Sequence, residues 1–403
     1  MTFVDTPRLL HGNTTVLTGT METRRMWVVA LLLVVLAATF HNFAGIAAAA
    51  VYAFMLGEIR NLSLRTGGLA GAFWIIALYA FIRLIVPSSV ALVPQMEEVL
   101  RFSAIALFAA TLQRYRAREL FMVLTIFLGL MLLLYPVSFV SNIVTVVDAS
   151  GVRRFSALMP HANHLGYAAA STLIVVFLLR ERVEISRLQW WVTLVTCIVL
   201  VVLSQSSGAL LVVLLGFALF PAAFRPTPSR IGFAIILIIS AVLMLASPLG
   251  QSALQKILVI DMDRIVLKSQ LYQFGDQGSS LAWRISYWLA MIDALAASGP
   301  VTVLLGEGGA ATARAEPIYF FMTKDPHSDV IKVLIEYGVI GLLLFFGALF
   351  TAIWRSRVGV LGFVAFFGPM LVGNSLTSPS VIFILLILVV MIEKFRRGET
   401  NGT

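Results

Sequence analysis

The sequence predicts an all-α polytopic membrane protein with about twelve transmembrane helices and one long loop between the ninth and tenth spans. Three observations carry that reading. Of 403 residues, 60% are hydrophobic and only 12% charged. Apolar runs long enough to cross a bilayer recur from end to end, and no stretch of soluble-domain composition interrupts them. Most of the Lys and Arg residues sit in short loops between those runs, where they set orientation.

The spans are read at 26–42, 44–58, 67–86, 97–112, 119–140, 162–179, 188–204, 207–224, 231–248, 327–353, 358–373 and 378–393. Arg24 and Arg25 ahead of the first span also fit a signal peptide, but the topology requires that segment to be retained. With the N-terminus inside, one side of the membrane collects Arg60 and Arg65, then Arg114, Arg116 and Arg118, then Arg180, Arg182 and Arg187. The same side receives Arg225 and Arg230, Arg355 and Arg357, and finally Lys394, Arg396 and Arg397. Every alternate loop obeys the positive-inside rule, so both termini are expected in the cytoplasm. The chain then divides into a tail at 1–25, spans within 26–248, an outer loop at 249–326, spans within 327–393 and a tail at 394–403.

Two function classes fall away at this stage. The net charge of +9 serves topology and is not a nucleic-acid footprint, so no nucleic-acid partner is expected. A single cysteine, Cys197, lies within an apolar span, so there is neither a disulfide framework nor a cysteine-rich metal site.

The outer side carries the less regular segments: 87–95, 140–160, 204–208, 248–325 and 373–380. Only 248–325 has room for chemistry of its own. Within it, Leu254, Ile257, Leu258, Ile265 and Leu271 mark one amphipathic piece. Trp283, Tyr287, Trp288, Met291 and Leu295 mark another, with aromatics suited to the headgroup layer. Gly306, Gly308 and Gly309 permit a sharp backbone path before the next span.

The stretch Pro326-His327-Ser328-Asp329 then leads into an apolar helix carrying Lys332, Glu336, Gly338 and Gly341. Ionisable groups in a bilayer are costly, and by default they mark a functional site. Asp325 as N-cap and Pro326 at the first helical position place His327 in the first turn, at the outer membrane surface. The helix dipole disfavours an imidazolium there, whereas Asp329 favours one; where the dipole wins, His327 is neutral and can accept a proton from a hydroxyl. Backbone N–H groups at the same helix end suit a phosphate. Ser328, Lys332 and Glu336 share one face, and Gly338 lies about three turns below His327. A salt bridge between Lys332 and Glu336 that ties helices together is preferred over direct catalysis, with Glu336 as a positioning residue. Gly338 and Gly341 let a neighbouring helix approach closely.

Arginines supply the other half of the pattern. Arg83, Arg101, Arg153, Arg154, Arg284 and Arg314 fall on the outer side, against the topological bias. Guanidinium forks bind a diphosphate bidentately and stay charged, which makes a diphosphate their natural partner. Arg284 and Arg314 rank first because they flank the histidine in the long loop. Arg101 has Glu97 and Glu98 beside it and reads as a local ion pair. Arg153 and Arg154 read equally as solvated loop charge or as ligand contacts. His161, Asn163 and His164 open the sixth span and read as a lining for the same site, or as caps for orphan helix donors. His161 and His164 lack a third metal ligand, so no metal is expected, and no cofactor.

Taken in order, these residues resemble the O-antigen ligase and polymerase superfamily. The matching pieces are His161-x-Asn163-x-x-Gly166, the 204–211 turn reading SQSSGALL, Arg284-Ile-Ser-Tyr-Trp288, and the 306–309 glycine loop. The last piece is His327-Ser328 followed, after nine residues, by Gly338-x-x-Gly341. The likeness covers most of 150–345 and extends to the span count. It implies an enzyme in the bacterial inner membrane that takes a glycan from undecaprenyl diphosphate at the periplasmic face. It also implies His327 as activator of the acceptor and Arg284 in a diphosphate-binding or structural role. One departure counts: ligases similar to this chain carry arginine where Ser207 stands, which leans the reading toward an exopolysaccharide or O-antigen polymerase. Arg314 is the expected substitute for that arginine. The acceptor is then another lipid-linked repeat; in the alternative, a ligase, it is the lipid A core. A lipid-linked glycan transporter is the more distant reading, disfavoured because the polar groups gather at one face rather than at the midplane.

Overall fold

A computed structural model describes residues 21–56, 68–88, 90–147, 153–179, 185–223, 246, 251, 261–270, 280–313, 326–354 and 359–396. Eight helices come first: α1 Met21–Phe40, α2 Asn42–Met55, α3 Gly68–Arg83, α4 Leu92–Leu112, α5 Ala117–Leu133, α6 Ala162–Leu179, α7 Arg187–Ser204 and α8 Ser207–Ala223. Six more follow: α9 Met262–Gln270, α10 Ser280–Ala297, α11 Pro300–Leu305, α12 Asp329–Ile353, α13 Gly359–Val372 and α14 Pro379–Arg396. Helices therefore stand at eleven of the twelve expected span positions; the remaining one, 231–248, lies outside the described residues except for 246. Thr23–Phe40, Ala117–Phe139, Arg187–Ser204 and Asp329–Ile353 are long and apolar enough to cross a membrane by length and composition. Several other apolar helices are shorter.

The fold is all-α as expected, and among the described residues one short strand pair interrupts the helices. Thr145–Val147 (β1) and Arg153–Phe155 (β2) pair antiparallel, with Val146 opposite Arg154. Valine and threonine flank this outer segment, and β-branched residues favour a pleated pair over a helix.

Helix ends follow local chemistry. Ser186 caps α7 by accepting from the Gln189 N–H at 3.1 Å. Gln205 closes the same helix in the left-handed conformation, and Ser206 accepts from the Ala209 N–H to start α8 at once. α14 opens with proline at its first position, and its side chains are buried without interruption from Ser380 to Lys394. A helix apolar on all sides belongs in the middle of a bundle, and α14 packs against α1, α2, α4, α5, α6 and α13. Side-chain hydroxyls reach across helix contacts: Ser171 donates to the Ala365 carbonyl at 2.6 Å, and Thr125 meets Thr193 at 2.9 Å.

Among the described residues the outside of the bundle carries many large apolar side chains. Leu33, Phe40, Phe43, Val51 and Trp191 are all more than half exposed on the outer faces of α1, α2 and α7. Water would penalise such a surface and lipid does not. The segment between α8 and α12 contributes α9 and α10. Ser286 of α10 donates to the Ile265 carbonyl of α9, and Tyr287, Met291 and Leu295 pack on Ile335 of α12.

Candidate active site

The site is organised by a break in α12. At Gly338 the backbone takes φ 67° and ψ −170° inside an otherwise continuous helix. Only glycine adopts this conformation cheaply, and a Cβ there would strike the Leu304 carbonyl. The carbonyls released just before the break are recaptured from outside the helix. The Glu307 N–H donates to Ile335 O at 2.9 Å and the Gly308 N–H to Glu336 O at 3.0 Å. In an apolar setting a broken helix needs that compensation. The partner that approaches at Gly338 is thus the 304–308 loop rather than a helix, whereas Gly341 lies against Tyr79 of α3. Arg83 holds the loop in place, donating to the Leu305 carbonyl at 2.8 Å and the Gly306 carbonyl at 2.7 Å.

Charges brace the first half of α12. Lys332 Nζ stands 3.6 Å from Glu336 and 3.7 Å from Glu98 of α4, so the ion pair does link two helices. Glu98 also pairs with Arg101 at 2.6 Å, and Thr312 donates its hydroxyl to Glu336 at 2.6 Å. These groups come from α4, α12 and the turn at Ala311–Ala313.

The helix start differs from the sequence reading. α12 begins at Asp329 with Ser328 as N-cap, and His327 precedes it with φ 55°. His327 is therefore not in the first turn but stands just outside the helix mouth. The physical reason lies in Asp329. Its buried carboxylate accepts from the Ser375 N–H at 2.8 Å and the Leu376 N–H at 3.1 Å, fixing the first turn onto the α13–α14 loop. Trp288 donates to the Pro326 carbonyl at 2.6 Å and fixes the residue before the histidine. A histidine held in the left-handed region between two such anchors is strained, as functional residues often are.

Around the half-buried His327 ring, Asn374 Nδ2 lies 3.2 Å from Nδ1, and the Trp283 ring packs edge-on with centroids 5.6 Å apart. Arg284 follows Trp283 on α10, its guanidinium 5.8 Å from the centre of that indole. Its buried Nε has no hydrogen-bond partner among the described residues. Burial lowers the Arg284 pKa from the ordinary arginine value, Tyr167 opposes that shift, and the group stays cationic.

Arg154 arrives from the hairpin. It donates to the Ser204 carbonyl at 3.1 Å from Nε and 2.9 Å from Nη2, and to Asn163 Oδ1 at 2.7 Å. That places a guanidinium on the turn three residues before the exposed Ser207, and it ties Asn163 to the same point. Arg153, its neighbour on β2, is exposed. Arg314, the expected substitute for the absent arginine, lies outside the described residues.

His161 and His164 meet edge-to-face at 5.3 Å, and His164 Nδ1 lies 3.2 Å from Ser378 Oγ. The enclosed part of the His161 ring and the nearby charge of Arg154 lower its pKa, which keeps it neutral at neutral pH although much of its surface is exposed. Tyr167, one turn further along α6, is buried within electrostatic reach of Arg284, Arg154 and Asp329. It fits there because Gly208 offers no Cβ to its ring.

The structure thus gathers His327, Arg284, Arg154, Asn163, His161 and His164 around one region, with Lys332, Glu336 and Gly338 as its support. Sequence reasoning missed Asn374, Tyr167, the clamp made by Asp329 and the α4 partner of Lys332. A cue existed for the first: Gly373-Asn374-Ser375 interrupts two strongly apolar runs on the outer side. A separate cleft of about 270 Å³, lined by Arg83, Ser88, Ser298, Thr302 and Glu307, borders the 304–308 loop.

Among known proteins, residues 192–346 match the family model described as O-antigen ligase. No curated protein matches the chain. The matched stretch runs from α7, past the Arg154-bound turn and the Arg284 helix, into the break behind His327. Over that stretch this multi-pass membrane protein is similar to the O-antigen ligase family.

Proposed function

We propose that the chain is a metal-independent, inverting glycosyltransferase that moves a glycan from undecaprenyl diphosphate to an acceptor sugar hydroxyl. It works at the periplasmic face of the bacterial inner membrane, with both termini in the cytoplasm and α9 and α10 in the outer loop. The observation that carries this reading is the placement of His327, fixed outside a helix mouth with the Arg284 helix beside it.

In the reaction, the imidazole takes the proton of the acceptor hydroxyl as its oxygen attacks the anomeric carbon. The bond from that carbon to the diphosphate oxygen breaks, a new glycosidic C–O bond forms, and undecaprenyl diphosphate leaves with its charge met by arginine. Arg284 is half-buried, so its charge acts at low effective dielectric on the departing diphosphate. Attack opposite the leaving group inverts the anomeric centre.

Ser207 favours the polymerase form, in which the acceptor is a second lipid-linked repeat. The ligase form, with lipid A core as acceptor, draws support from Arg154, which brings a guanidinium to the turn where Ser207 supplies none. Cells lacking the protein separate the two. Accumulated single repeat units mean a lost polymerase, and accumulated long chains absent from the surface acceptor mean a lost ligase. His327→Ala tests the mechanism common to both. It abolishes transfer while expression and donor binding persist, and normal product from that variant would sink the assignment.

A further inference from the structure

We infer that Asn374 is the positioning residue that sets the tautomer of His327, and that Asp329 holds it in place. The inference rests on His327 being the proton acceptor proposed above.

Asn374 sits in the short loop between α13 and α14, and its side-chain amide faces Nδ1 of His327 at 3.2 Å. The position of that loop is not incidental. Asp329, buried in the first turn of α12, accepts from the next two backbone N–H groups, those of Ser375 and Leu376. Asp329 is two residues from His327, and Ser375 is next to Asn374. The two hydrogen bonds therefore lock the histidine and the amide into one local unit.

The order of the amide atoms decides the chemistry. With Nδ2 toward the ring, Nδ1 is the acceptor and a neutral imidazole carries its proton on Nε2, so neither nitrogen is ready to take a proton from a hydroxyl. In that order the buried Asn374 Oδ1 also has no hydrogen-bond partner among the described residues, which carries the full desolvation cost of an unmade bond. Oxygen and nitrogen of an asparagine amide are interchangeable in shape, and the surrounding hydrogen bonds decide their order. A half-turn of the amide brings Oδ1 to Nδ1. The ring then donates its Nδ1–H to Asn374, and Nε2 keeps the lone pair that the acceptor hydroxyl needs. One rotation gives Oδ1 the ring N–H as donor and prepares the base, and it moves Nδ2 to the buried position that Oδ1 held.

The test uses the full-length protein in liposomes, labelled with ¹⁵N-histidine, and reads imidazole nitrogen shifts. The chain has five histidines, and the spectrum of His327→Ala identifies the signal that belongs to His327. The expected wild-type state is Nδ1–H, with Asn374→Ala moving His327 toward Nε2–H. In transfer assays Asn374→Ala lowers kcat by about 10²-fold with the donor KM unchanged, and Asn374→Asp, which keeps an acceptor oxygen, restores turnover. A purely structural role would move expression and KM and would not be rescued in this way. Nε2–H in the wild type, or an unchanged tautomer in Asn374→Ala, overturns the inference. Retained transfer by His327→Ala alongside the expected tautomer shift would leave the Asn374 contact standing and overturn only the base role.

Discussion

Replacing Lys332 by methionine withdraws an ammonium that stands 3.6 Å from Glu336 and 3.7 Å from Glu98. Glu336 is fully buried and Glu98 nearly so, with side-chain exposures of 0% and 6%. Glu98 retains Arg101 at 2.6 Å, so most of the penalty falls on Glu336. Thr312 still donates its hydroxyl at 2.6 Å and its backbone N–H at 3.4 Å, but neutral donors do not neutralise a buried carboxylate. Breaking a buried pair from one side costs about 3–5 kcal/mol, and the surviving hydroxyl bond argues for the lower end, about 3 kcal/mol. For a chain of this size that corresponds to a fall of about 3–4 °C in the apparent Tm. Adding Glu336→Gln removes the stranded charge while keeping an acceptor for Thr312. The double variant is therefore expected to be more stable than Lys332→Met alone, a coupling that independent sites would not show. Thermal unfolding of both variants and of Glu336→Gln in one detergent is the assay. If Lys332→Met melts with the wild type, or if the double variant melts below it, the charge network does not brace the helix and the argument fails.

Arg284→Gln is expected to lower kcat by about 10²-fold, the loss typical of one removed charge-stabilising donor, with thermal stability unchanged or raised because a half-buried cation is gone; steady-state transfer and a melting curve read both. Gly338→Ala is expected to reduce the yield of folded protein sharply, since φ 67° strains any side chain and the Leu304 carbonyl occupies the space. Gly347→Ala on the same helix, where nothing lies within 4 Å of a new Cβ, is expected to be neutral or slightly stabilising, and size-exclusion profiles in detergent distinguish the pair.

Hydropathy made the helices legible because each is apolar over most of its length, and that signal is local. The features that failed to show in the sequence are set by distant residues. Gly338 breaks α12 only because the 306–308 loop arrives to take the Ile335 and Glu336 carbonyls, and nothing within α12 announces that loop. Asp325-Pro326 is a good helix start by local rules. It gave way because Asp329 binds the 375–376 backbone across the bundle and His327 turns left-handed ahead of Ser328. The hairpin escaped for a different reason: two strands of three residues each are too short to register as a period. For the site, residue type is what nominates His327, Arg284 and Arg154 as candidates, and the structure places the Arg284 helix beside the His327 ring. Residue type did not identify Asn374, whose role depends on the ring it faces.

These nonlocal contacts share one consequence. The first half of α12 is clamped three times within nine residues: at Asp329 by the 375–376 backbone, at Lys332 and Glu336 by α4 and Thr312, and at its end by the Glu307 and Gly308 N–H groups. A helix stub held at its top, middle and base cannot tilt without breaking several bonds together. In the role proposed for His327, a proton acceptor is held within about 0.5 Å of its productive geometry by the shell around it. The break at Gly338 separates the stub from the lower half of α12. Movements of the lower half against the lipid then need not reach His327, which accounts for a glycine kink and a buried ion network in the same helix as the histidine.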